Sequence, residues 1–363
     1  MIRLTFVGDI VLDKPLLKAA KARGKGEFDF SDVFHTEEVF SKSDFVIGNM
    51  ETCFGGGKNF NKKPYHYNSP DVFCQAVKAA GIELVSTANN HCMDEGLIGL
   101  QRTNHILDKS GILHTGTFCG EDQEKRFFVK TINGLKIAFY SLTYSVNVSM
   151  ESLACENLYQ YVNLIGFNGK QAPWLKQYYH CVVKPKIRQI TRKIKKHSTI
   201  SAHQDIYSEK KINKTWMSDV ERQITRAKEE SDLLIVLLHI GGQFNQDPGT
   251  FTTYMVDKLR DFGANIIVGN HPHTVQKIEV SEDTIIAYSL GGFCMSVSGE
   301  YVVHECLPEY SLALHIDIDE RTKACRASVD ILKGKEGRDA YLTVAKADDN
   351  DPDAAIIQKR CGL

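Results

Sequence analysis

Five short apolar runs in this chain each end in a cluster of metal-binding or acid/base side chains, and that repetition constrains the fold more than any other feature. The runs are Leu4-Thr5-Phe6-Val7-Gly8-Asp9, Phe45-Val46-Ile47-Gly48-Asn49-Met50-Glu51, Leu84-Val85-Ser86-Thr87-Ala88-Asn89-Asn90-His91, Leu233-Leu234-Ile235-Val236-Leu237-Leu238-His239 and Ile266-Ile267-Val268-Gly269-Asn270-His271-Pro272-His273. Their length and β-branched content suit strands buried on both faces. In α/β sheets ligands collect beyond the carboxyl ends of the strands. One shared site is therefore predicted, built from His, Asn, Asp and Glu. Such donors suit zinc, manganese or iron.

At 363 residues the chain can bury a large core, and 42% hydrophobic with 25% charged residues is ordinary for a globular protein. A net charge of −1 gives no sign of a polyanionic partner for the whole molecule, and no nucleic acid is expected. Met1-Ile2-Arg3-Leu4 enters the first strand at once, with no apolar leader and no transmembrane run, so a cytoplasmic chain is expected. The 10 cysteines form no CxxC pair. They read as buried free thiols, with Cys92 beside His91 the one open to a role at the site.

Strand and helix patterns alternate over residues 1–145. Strands are predicted over 4–9, 45–49 and 84–88, and helices from Pro15 to Arg23, from Pro70 to Ala80 with Ser69 as cap, and over 96–110. Strands over 127–129 and 136–142 pair around Asn133-Gly134, a hairpin turn signal. Residues 146–215 lose that periodicity. Between Lys176 and Lys214 stand 11 Lys or Arg against Asp205 and Glu209. This stretch reads either as a solvated helical face or as a basic arm that meets an anionic substrate. Alternation resumes with a helix over 217–230, a strand over 233–238, a helix over 250–261 and strands over 265–268 and 284–289. Leu312 to Ile318 alternates as an antiparallel edge strand does. The acidic tail Asp348-Asp349-Asn350-Asp351 reads as loose. The expected organisation is one domain over 1–330 with a basic insert at about 146–215 and an extension over 331–363.

His271-Pro272-His273 is the most specific element. Residues two apart on extended backbone project to one face, and Pro272 restricts the chain between them. With His239, these histidines are read as metal ligands, the alternative being hydrogen-bonded loop residues. Asn90 can bind metal through its amide oxygen. His91 can protonate a leaving group, since its pKa lies near working pH. Asp94 is read as a helix cap or as the partner of His91. Asp9 and Glu51 supply the negative charge that neighbouring cations need, with Asn49 a further candidate ligand. Asp13 is read as a helix cap. Gly55-Gly56-Gly57 lacks the spacing and the GK[ST] ending of a nucleotide loop.

In this order, the blocks resemble the calcineurin-like metallophosphoesterases, and more closely their capsule-synthesis CapA branch, linked to poly-γ-glutamate. The resemblance rests on Val7-Gly8-Asp9, Asn49-Met50-Glu51, Ala88-Asn89-Asn90-His91-Cys92-Met93-Asp94-Glu95-Gly96, His114-Thr115-Gly116, His239-Ile240-Gly241, His271-Pro272-His273 and Tyr288-Ser289-Leu290-Gly291-Gly292-Phe293. It spans about residues 1–145 and 215–295. It implies an α/β fold, a metallophosphoesterase-like two-sheet β-sandwich flanked by helices. It implies one or two divalent metal ions (Mn, Zn or Fe) held by Asp9, Glu51 or Asn49, Asn90, His239, His271 and His273, with His91 as general acid. It further implies a metal-dependent hydrolase working with capsule-synthesis machinery on an anionic polymer or phosphorylated glycan. A non-catalytic polymer-binding component of that machinery is the other reading. The chain departs from the wider pattern at Val11, where a ligand His is usual, and at Asn49, where an Asp is usual. Gly292 and Gln243 depart from the branch, which has Asn and an acid there.

Overall fold

The computed structural model describes residues 1–57, 60–61, 66–120, 125–147, 155, 157–166, 205–299 and 302–363. Fourteen strands are described: β1 (Ile2–Ile10), β2 (Phe34–His35), β3 (Phe45–Met50), β4 (Leu84–Ser86), β5 (Leu113–Thr115), β6 (Phe128–Ile132), β7 (Leu135–Thr143), β8 (Leu233–His239), β9 (Ile266–Asn270), β10 (Ile278–Val280), β11 (Ile285–Ala287), β12 (Tyr310–Ile318), β13 (Cys325–Glu336) and β14 (Leu342–Lys346). The longer helices are α1 (Lys14–Arg23), α2 (Asp71–Ala79), α3 (Gly96–Lys109), α4 (Lys214–Glu230), α5 (Thr250–Phe262) and α6 (Pro352–Cys361).

Two sheets form, in the orders β2-β14-β13-β12-β1-β3-β4-β5 and β10-β11-β9-β8-β7-β6. Strands β1, β3, β4 and β5 run parallel, as do β7, β8, β9 and β11. The apolar runs are continuous because both faces of these strands are covered. Leu4, Phe6 and Ile47 of the first sheet pack between the sheets with Phe139, Ile235, Leu237 and Val268 of the second. On the outer face of the first sheet, Val7, Val46 and Val85 pack with Leu16, Phe73, Val77 and Leu107 from α1, α2 and α3. On the outer face of the second, Leu234, Val236 and Ile267 meet Val220 and Ile224 of α4 and Met255 and Leu259 of α5. The expected two-sheet α/β architecture flanked by helices is thus what forms. The β6–β7 hairpin turns at Asn133 (φ 47°) and Gly134 (φ 88°), both in the left-handed region that its tight turn requires.

Several expectations are corrected. The 312–318 strand is antiparallel but not an edge: β12 lies between β1 and β13. Its polar alternates are paired instead of solvated. Arg3 makes a bidentate bond to Asp317 (both 2.7 Å), and Thr5 Oγ1 lies 2.9 Å from His315 Nδ1. The 348–351 stretch is not loose at its end. Asp351 accepts from the Asp353 amide, the Tyr310 hydroxyl and the Lys333 ammonium, and opens α6, which buries Ile357 and Cys361. Residue 330 lies inside β13, and β13 and β14 belong to the first sheet, between β12 and β2. Pro70, not Ser69, occupies the cap position of α2, and the Ser69 hydroxyl pairs with that of Thr52 (2.7 Å). Asp13 does cap α1, accepting from Leu16 N at 3.4 Å. The basic run between Lys184 and Lys196 lies outside the described residues.

Candidate metal centre

Asp9 is the last residue but one of β1, Asn49 the last but one of β3 with Glu51 just beyond it, Asn90 and His91 follow β4, His239 ends β8, and His271 and His273 follow β9. Glycines bring these ends together. A Cβ at Gly8 would lie 1.9 Å from the Gly291 carbonyl oxygen, and one at Gly269 would lie 2.1 Å from that of Tyr288. Only bare backbone fits at either place. Asp9 N can then donate to Gly291 O (3.0 Å), which fixes the carboxylate at the sheet end.

All the ligands expected from sequence converge, and two donor sets share Glu51. In one, His239 Nε2 lies 2.7 Å from Asn90 Oδ1, 3.1 Å from His271 Nδ1 and 3.5 Å from Glu51 Oε1. In the other, His273 Nδ1 lies 2.9 Å from Asp9 Oδ2 and 3.7 Å from Glu51 Oε2. Donors held by one six-coordinate cation at about 2.1 Å stand roughly 3 Å apart, so this spacing is compatible with a divalent ion. Asn49 turns its nitrogen inward: Nδ2 donates to Asp9 Oδ1 (2.7 Å) and lies 3.1 Å from His239 Nδ1. The Asn49 amide therefore orients the Asp9 carboxylate. Val11 packs with Tyr67, Phe244 and Met295. Gln243 Nε2 stands 3.5 Å from His273 Nε2.

One geometric expectation fails in its reasoning. The HxH backbone is not extended: His271 has φ 101° and His273 φ 56°. The imidazoles still converge, with centroids 6.0 Å apart. They do so through left-handed backbone, which costs energy for non-glycine residues and is tolerated where surroundings over-determine it. Phe244 N donating to Pro272 O (2.7 Å) and His271 N donating to Asp9 Oδ2 (3.2 Å) are two such restraints.

Glu51 is fully buried, and neither of its oxygens accepts a hydrogen bond from any described residue. Burial, with Asp9 beside it, pushes its carboxyl up to about 8. An ionised carboxylate so placed costs several kcal/mol unless a cation compensates it. Burial also acts on Asp9, but the hydrogen bond and charge of His273, with the Asn49 amide, outweigh it and hold Asp9 below the carboxylate range. Burial drives His239 down to about 3 and His271 well below its ordinary value, so both are neutral with lone pairs to offer.

His91 stands beside this cluster, Nε2 4.0 Å from Glu51 Oε1. Its Nδ1 is 2.6 Å from Asp94 Oδ2, which also accepts from Tyr67 N (2.7 Å). Asp94 is thus the partner of His91, and Glu95 takes the cap position of α3. Burial would lower the His91 pKa, but Asp94 outweighs it and the net shift is upward. The Cys92 thiol packs among Ala88, Met93 and Leu100, and burial pushes it up to about 12, which leaves it inert. Sequence reasoning missed Tyr67, whose ring lies 4.3 Å from that of His91, and Asn147, whose amide touches both Asn90 and His91. Asn147 had a usable signal: it follows the end of another parallel strand, β7.

Fold and site together define an α/β protein of two sheets with a buried, imidazole-rich cluster of candidate metal ligands. The model of a family described as bacterial capsule synthesis protein PGA_cap matches residues 3–296, so the chain belongs to that family. The chain is 28% identical over 314 residues to the uncharacterized protein y4sH of Sinorhizobium fredii, spanning 79% of this chain and 64% of that one. It is 25% identical over 333 residues to the PGA biosynthesis protein CapA of Bacillus subtilis, spanning 88% of this chain and 72% of that one. Among solved structures, a hypothetical protein from Thermus thermophilus is similar with a TM-score of 0.47 and 14% identity, over 91% of this chain and 98% of that one. The chain thus spans just under two thirds of the first of these relatives. Among the described residues, no helix is long and apolar enough to cross a membrane.

Proposed function

We propose that this chain is a metal-dependent hydrolase of capsule or poly-γ-glutamate synthesis, acting on an anionic polymer or a phosphorylated glycan. The observation that carries this is Glu51, a fully buried carboxylate with no hydrogen bond from a described residue, ringed by imidazoles. Asn90, His239, His271 and Glu51 would hold one divalent ion, and Asp9, His273 and Glu51 a second. When bound, such an ion polarises a phosphoryl or acyl oxygen and lowers the pKa of water. Asn49 keeps the Asp9 carboxylate in place through its amide hydrogen bond. His91 is held by Asp94, which raises its pKa against the effect of burial. Its Nε2 borders the pocket, where it would donate to the leaving oxygen or nitrogen.

A second reading has a specific observation behind it. Val11 contributes only packing where the wider pattern has a ligand, and Asn49 offers nitrogen where that pattern has a bridging acid. A non-catalytic component that binds the growing polymer in the same cleft fits those changes. Turnover of para-nitrophenyl phosphate by manganese-loaded protein, abolished by chelation, is the result expected of the hydrolase. Protein that binds poly-γ-glutamate and turns over no phosphoester or amide with any metal would contradict it and favour the second reading.

A further inference from the structure

An asparagine side chain is ambident: it meets a cation through oxygen, and its nitrogen must then find an acceptor elsewhere. Asn90 is buried, with Oδ1 facing His239 Nε2 at 2.7 Å. Its Nδ2 donates to Asn147 Oδ1 at 3.4 Å. The backbone secures the same pair, since Asn147 N donates to Asn90 O at 2.7 Å. Asn147 also reaches His91: its Nδ2 lies 3.2 Å from Nδ1 and 3.4 Å from Nε2. Near-equal distances to both ring nitrogens place that amide over the ring face, because an in-plane position would collide with the carbon between them. Contacts of an N–H with a π face are weak but orienting.

We infer that Asn147 is a positioning residue that turns the Asn90 amide oxygen toward the cation pocket and steadies the His91 ring. This rests on the metal reading above and extends it to a residue outside every motif of the sequence. The loop after β7 thereby couples a ligand and the proton donor, which come from the loop after β4 in the other sheet. Partners that orient metal ligands in this way are typically worth about 10- to 100-fold in metal affinity.

The test is calorimetric titration of chelator-stripped full chain with manganese alone, for the wild type, Asn147→Leu and Asn147→Asp. Asn147→Leu removes the acceptor, and a loss of about tenfold or more in affinity is expected. Asn147→Asp keeps an acceptor, and affinity within about threefold of wild type is expected. The visible spectrum of the cobalt-loaded protein should shift in Asn147→Leu and not in Asn147→Asp. Unfolding midpoints of the metal-free variants check that the half-buried loop substitution leaves the fold intact. Asn147→Leu binding manganese like the wild type would overturn this inference and leave the metal centre standing. Asn147→Asp as weak as Asn147→Leu would also overturn it, by showing that the acceptor is not what matters. A wild type that binds neither manganese nor cobalt would overturn the metal centre and this inference together.

Discussion

Replacing Glu51 with glutamine should make the metal-free protein more stable at pH 8, against the usual sign of a substitution in a buried site. Glu51 is fully buried and its carboxyl is raised from an ordinary 4.5 to about 8. In the unfolded chain it ionises near its ordinary value. Between about pH 4.5 and 8 the folded state therefore holds a proton that the unfolded state has lost, so stability falls as pH rises through that window. At about 1.4 kcal/mol per pH unit the full penalty is roughly 5 kcal/mol above pH 8. Glutamine removes the charge but leaves an unsatisfied buried amide, which costs about 1–3 kcal/mol. The net gain for Glu51→Gln is then about 2–4 kcal/mol at pH 8, shrinking toward zero or reversing near pH 5. Urea unfolding of chelator-treated protein at both pH values measures it. With manganese at a hundredfold its dissociation constant the wild type should recover about 2.7 kcal/mol that the variant cannot. A metal-free Glu51→Gln protein less stable than wild type at pH 8 would refute the reasoning, because it would mean that the carboxylate already has its counter-charge within the protein.

His271→Ala should lower bound metal per chain while the circular dichroism spectrum stays unchanged, since a loop ligand carries little of the core; equal occupancy would remove His271 from the ligand set. Asp94→Asn should leave metal content unchanged and cut phosphoester turnover by about 100-fold, because the carboxylate that holds His91 Nδ1 is lost; unchanged turnover would remove His91 from proton donation. Asp205→Ala should cost about 1–3 kcal/mol in thermal unfolding. Asp205 accepts from Gly249 N, Thr252 N and the Thr252 hydroxyl at the start of α5, and no residue on that helix replaces it.

The site was legible because its signals are local. A strand buried on both faces writes itself as a continuous apolar run, and the polar residues Asp9, Glu51, Asn90, His239 and His273 mark where each run ends. Convergence followed from the rule for parallel sheets and needed no knowledge of distance. What stayed hidden is tertiary. Alternation in β12 looked like an exposed edge because nothing in the sequence shows that Arg3 meets Asp317 and Thr5 meets His315 across the β1–β12 register. The acidic tail looked disordered because Tyr310 and Lys333, which hold Asp351, lie far away along the chain. The left-handed backbone at His271 and His273 has no sequence mark, since neither residue is glycine or asparagine. Tyr67 was missed because it meets His91 by packing between loops, which residue spacing does not encode, whereas Asn147 was missed although it follows parallel strand β7 as the other site residues follow theirs. Asn49 was read as a candidate ligand by residue type; its nitrogen donates to the Asp9 carboxylate, and its buried oxygen has no hydrogen-bond partner among the described residues.

Elemental analysis of the full chain, purified without chelator and then dialysed against manganese or zinc, tests the shared cation pocket most directly. One or two divalent ions per chain are expected, falling together when Asp9, Glu51 or His239 is replaced singly. A protein that retains no divalent ion under these conditions, or whose metal content is untouched by all three replacements, would contradict the account.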